Sequence, residues 1–295
     1  MKVCAKLLLI LLLLTSLSGF SQQVDSSGIS RESLRYYLRR AVTMAEFLSV
    51  DPYANDGPYP YKQDDVRLIH NIGAKFIGRA IYHWGGESAL ANPEFLKQAK
   101  MLMKQVHAKD PEVIFQAAVF ESVSWKVSKV PIPDWAFKAL GKEVEQRNFR
   151  YEDMLSKDGK FVDHWGKGSS VPDITRPEAQ LWLMYLCGVY INLGCEALHL
   201  GQIGLMGMND PGLLVWNGFI QKVRNFAKMH APRKWVLLDA HTPGGGMLVD
   251  GKSMLDFNSF PLRIKEIPSE PMTGVLEVGY LDAIFKRSKG WTTPS

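Results

Sequence analysis

From Lys75 onward the chain alternates short, nearly unbroken apolar runs with longer segments whose apolar residues recur every three or four positions. Residues 75–84 (KFIGRAIYHW), 113–120 (VIFQAAVF), 195–201 (CEALHLG) and 234–241 (KWVLLDAH) read as strands buried on both faces, and 255–262 and 275–284 are candidates for two more. Between them, 93–107 opens with a proline at a helix's first turn, 177–193 stops at Gly194, and 133–155 and 211–230 carry helical patterns. Strand, helix and strand in alternation demand parallel strands joined by right-handed crossovers. A doubly wound sheet would normally show a G-x-G-x-x-G phosphate turn, whereas this chain offers only the run Gly244-Gly245-Gly246 without that spacing. The expected fold is therefore α/β, a (β/α)8 TIM-barrel-like domain. It is irregular or C-terminally incomplete, because six strands can be counted and no closing helix follows Trp291. The alternative is that the missing two are hidden within 157–173 and the N-terminal part.

Residues 1–21 have the three parts of a secretory signal peptide: Lys2 and Lys6, the apolar run 7–14, and the small-residue end Gly19-Phe20-Ser21. Polar residues 22–30 read as a flexible leader, and 31–295 as a single barrel-like domain. The expected location is the periplasm or the outside of the cell. The apolar run is shorter than the roughly 20 residues a bilayer span requires, so no membrane span is expected. Hydrophobic residues make up 46% of the chain and charged ones 22%, which suits a globular enzyme and excludes a disordered one. The net charge of +5 includes both leading lysines, and the remainder is too small to call for nucleic acid. Past the signal only Cys187 and Cys195 remain, too few for a disulfide scaffold, and they read as buried free thiols. Leu34, Tyr37, Leu38, Ala41, Met44, Ala45 and Leu48 predict one amphipathic helix capped by Ser30, followed by a loop over 51–63.

In barrel enzymes chemistry gathers where strands end and helices begin. Here the strand ends carry Arg79, His83 and Trp84; Glu121; Gln202; Asp239 and His241; and Asn258. Glu121 follows eight nearly apolar residues, an environment that favours a protonated carboxyl and suits a general acid. Asp239 also closes an apolar run and is the candidate second carboxylate. Arg79, His83, Gln202, His241 and Asn258 are candidate substrate-binding residues, with Trp84 and Trp165 as platforms for the apolar face of a sugar. The loop His164-Trp165-Gly166-Lys167-Gly168 is a candidate rim loop. His83, His241 and Asp239 have no standard metal spacing, so neither metal nor cofactor is expected.

The strand-end stretches FIGRAIYHWGGE, AAVFES, CEALHLGQIGLMG and WVLLDAHTPGG, the signal peptide and the rim tryptophans resemble the exported (β/α)-barrel glycoside hydrolase-like proteins of carbohydrate-degrading Bacteroidota. The resemblance covers roughly 75–284 and includes no named family motif. It implies hydrolysis of a glycosidic bond in a poly- or oligosaccharide, with Glu121 as acid and Asp239 as its partner. Gln202 stands where many such enzymes carry an acid, a departure that favours the alternative of a non-catalytic glycan-binding barrel. A metal-dependent hydrolase or lyase using His83, His241 and Asp239 is the other alternative.

Overall fold

The computed structural model describes residues 28–49, 61–82, 87–242, 246–259 and 262–278. The expected signal peptide, most of the leader, most of the 51–63 loop, His83 and Trp84 lie outside the described residues.

The chain opens with helix α1 (Arg31–Leu38), on which Ser30 Oγ accepts from the Ser33 amide as the expected cap. The predicted helix through Leu48 is not formed. It ends at Leu38, and Ala41–Thr43 become strand β1, paired in parallel with β2 (Phe76–Ile81). The β-branched pair Val42-Thr43 favours this extended edge position over a further helical turn. Helix α2 (Lys62–Asn71) takes the end of the predicted loop. Helix α3 (Pro93–His107) follows β2, with Asn92 as cap, and leads to β3 (Ile114–Ala118).

The next predicted helix, 133–155, contracts to α4 (Asp134–Ala139). Gly141 has φ +70 and turns the chain out of the helix, while Arg147 beyond it is drawn to the buried carboxylate of Glu178 at 2.7 and 2.9 Å. Two short strands, β4 (Val123–Ser124) and β5 (Ser169–Ser170), pair antiparallel beside the main sheet. Helix α5 (Pro177–Leu193) ends as the sequence predicts, with Gly194 left-handed at φ +117. It is apolar on nearly every side and is buried between α4 and α7 (Leu214–His230). Strand β6 (Ala197–His199) follows it, then the one-turn helix α6 (Ile203–Met206), α7, and strand β7 (Leu237–Asp239).

The five long-range strands form one parallel sheet in the order β1-β2-β3-β6-β7. Each new strand joins on the same side of the last, so right-handed crossovers carry the connecting helices to a single face. This is a mixed α/β fold with a parallel central sheet, and closure into an eight-stranded barrel is not seen among the described residues. A parallel bridge between His241 and Ser259 marks the predicted strand at 255–262. The predicted strand at 275–284 differs in kind: its described part lies in β9 (Gly274–Val278), antiparallel to β8 (Leu262–Glu266) and apart from the sheet. Residues 157–173 add no strand to the sheet, whereas β1 is the hidden N-terminal one.

Register separates the two faces of the sheet. Ile77, Phe115, Ala117, Leu198 and Leu238 point into the main core under the helices. Phe76, Ile114, Ala197 and Leu237 point the other way, into a smaller apolar cluster with Leu34 and Tyr37 of α1. Two residues further along β3, β6 and β7, that second face turns polar. Gln116, His199 and Asp239 follow from strict alternation; the register sets His199 beside Asp239, while Gln116, opposite Ala197, reaches Asp239 through its side chain.

Candidate active site

Asp239 is fully buried at the end of β7. A carboxylate there is tolerable only if donors replace the water it has lost. Gln116 Nε2 donates to Oδ1, while His199 Nδ1 at 2.8 Å and the Ser259 hydroxyl donate to Oδ2. The same Gln116 accepts through Oε1 from the backbone amide of Arg79 at 3.0 Å.

Arg79 sits in β2 at φ +51, where the pairing with β3 shifts register between Ile77 and Ile81. A non-glycine residue in that region is strained, and such strain concentrates at functional sites. Its guanidinium reaches His241, with Nη2 2.6 Å from Nε2. Burial pulls the Arg79 pKa below its ordinary value, an effect opposed by the negative charges of Asp239 and Glu121 and by Tyr82. The His241 and His199 rings meet edge to face with centroids 4.6 Å apart, and Phe120 closes against His199.

Glu121, three residues past β3, is also buried. Its two oxygens accept from the backbone amide and the side-chain amide of Gln202, each at 2.8 Å, at the start of α6. Gly201 makes room for it: a Cβ there would lie 2.1 Å from Oε2. Trp165 donates from Nε1 to the Glu121 carbonyl at 3.0 Å and stacks edge-on with His164. Trp125, half exposed, lies on the same loop over Gly168, where any Cβ would strike its ring.

Of the residues the sequence pointed to, the structure joins Arg79, Asp239 and His241 into one hydrogen-bonded and ring-stacked cluster. Glu121, Gln202 and Trp165 form a second group linked to it through Phe120 and the charge on Arg79. Asn258 neighbours Ser259 but packs beneath Gly246, with its Oδ1 buried and unpartnered among the described residues. Among the described residues no group of three or more His, Cys, Asp or Glu side chains is arranged to hold a metal ion. Gln116 and His199 were missed, although alternation along IFQAA and ALH places each on the face of Asp239. Asp256 and Glu196 serve structure: Asp256 pairs with buried Arg224 and accepts the Leu238 amide, and Glu196 pairs with Arg233.

No protein-family model matches this chain, and no curated protein does. Two solved structures of a debranching enzyme from Nostoc punctiforme are similar over 66% of this chain, at 12% identity and TM-scores of 0.40 and 0.39. This chain spans 41% of their length, and the likeness is too slight to carry their chemistry across.

Proposed function

We propose that the protein is an exported hydrolase of glycosidic bonds in oligo- or polysaccharides, working at the C-terminal ends of the parallel strands. Glu121 is its general acid and Asp239 the second carboxylate. One observation carries the reading: two buried carboxylates stand at strand ends on either side of β6, and the half-buried guanidinium of Arg79 feels the charge of both. Glycoside hydrolysis asks for such a pair, one group to protonate the leaving oxygen and one to support attack on the anomeric carbon.

Their surroundings divide the labour. A carboxylate has about four lone-pair positions. Gln202 takes two of them on Glu121, which leaves room to carry and deliver a proton. Three donors occupy Asp239, which fixes it in place. Trp165, beside Glu121, and the half-exposed Trp125 offer flat apolar faces for sugar rings.

The test is release of reducing sugar by the full chain from a panel of plant, algal and host polysaccharides, beside Glu121→Gln. Release that falls at least a hundredfold in the variant supports the reading. A folded chain that releases nothing from any substrate, yet is retained on immobilised glycan, overturns it in favour of a binding protein.

A further inference from the structure

The polar cluster contains a second imidazole that the carboxylate pair leaves without a task. His199 is buried on β6, and its Nδ1 donates to Asp239 at 2.8 Å. In the neutral ring that bond places the hydrogen on Nδ1, and Nε2 carries the lone pair. This atom is buried and has no hydrogen-bond partner among the described residues. Buried polar atoms are nearly always paired, and an orphan in a polar cluster marks a site for something else. The titratable and charged groups around the ring are Asp239 on β7, His241 stacked on it, and Arg79 of β2 behind His241.

We infer that His199 Nε2 is the general base of the reaction, with Asp239 the positioning residue that orients it and steadies its protonated form. This inference rests on the hydrolase reading above and assigns the role of its second carboxylate. In the step, a water oxygen bonds to the anomeric carbon as its proton passes to His199 Nε2. The bond from that carbon to the leaving oxygen breaks with its electron pair, and the leaving oxygen takes the proton of Glu121. His199 then returns its proton to solvent, and Glu121 regains one. A single displacement of this kind inverts the anomeric configuration.

The experiment follows the newly formed anomer by proton NMR with the unaltered chain, then compares pH profiles of His199→Gln and Asp239→Asn, and imidazole rescue of His199→Ala. The expected product is inverted. His199→Gln loses about 10²- to 10⁴-fold in kcat with KM little changed, its kcat/KM loses the acidic limb, and added imidazole restores part of the alanine variant's rate. A retained product overturns the inference even if no variant folds. So does a folded His199→Gln whose kcat stays within a few-fold and whose pH profile is unmoved; in both cases the hydrolase reading stands. An unaltered chain without turnover overturns both.

Discussion

Gln116 joins Asp239 to the backbone of Arg79: its amide nitrogen donates to the carboxylate while its amide oxygen accepts the Arg79 N–H at 3.0 Å. A neutral, buried side chain thus couples the charged end of β7 to the strained residue of β2. Gln116→Leu would keep the volume and remove both bonds, leaving a carboxylate oxygen and an amide short of a partner. The expected cost is about 2 kcal/mol of stability, read from urea unfolding, together with a loss of turnover larger than that of an equally destabilised variant in the helical layer.

Gly201 and Gly194 both have positive φ, at +52 and +117, yet their surroundings differ. A methyl group at Gly201 would meet Glu121 Oε2, whereas at Gly194 it would meet the flexible end of Met103 at 3.2 Å. Both alanine variants should lose about 1–2 kcal/mol to backbone strain. Only Gly201→Ala should also lose turnover, by displacing Glu121. Thermal unfolding and reducing-sugar release on the same samples check this, and equal turnover in the two variants would contradict it.

Lys75 is nearly buried between Asp110 at 2.6 Å and Glu112 at 3.0 Å. Burial alone would lower its pKa, but hydrogen bonds to the two carboxylates raise it well above the usual lysine value. In return the Asp110 carboxyl, which burial pushes up, is drawn below its ordinary range by Lys75, and that of Glu112 is lowered chiefly by its bond to Lys75. Folded carboxylates with lowered pKa stabilise fully above their unfolded values and cease to do so as pH falls through the folded ones. Lys75→Met should cost about 1–2 kcal/mol at neutral pH, with the deficit narrowing below about pH 4. Unfolding curves at pH 7 and pH 3 check the sign.

Cys187 and Cys195 are free and buried. Burial pushes the Cys187 thiol up to about 12 and raises that of Cys195 as well. Since the thiolate is the reactive form, neither should be labelled by a thiol reagent at pH 8 while the chain is folded, and both should react in denaturant. Rapid labelling of the native protein would contradict the packing around α5.

Helices α3 and α5 were legible to the residue, because Asn92-Pro93 starts one and Gly194 stops the other. Strand β1 was not: three residues beside a helix extend its period by accident, and only pairing with β2 makes Ala41–Thr43 extended. The 133–155 segment failed because its helical pattern ignores the pull of Glu178 on Arg147, a contact 31 residues away. At the candidate site, Glu121, Gln202, Asp239 and His241 were legible as polar residues closing apolar runs, and Arg79 as a charge within one. Gln116 and His199 lie within such runs, where a single polar residue looks incidental until the neighbouring strands supply the register that groups them.

The three-residue length of β6 makes that register a point of fragility. Deleting one residue between Gly194 and Ala197 would bring Leu200 beside Asp239 and turn His199 toward the helices, where Leu198 now packs. A single lost codon would thus blunt the chemistry and wound the core together, while the loss of two would keep the faces in phase. The site is addressed by count, and its grammar tolerates changes of two better than changes of one.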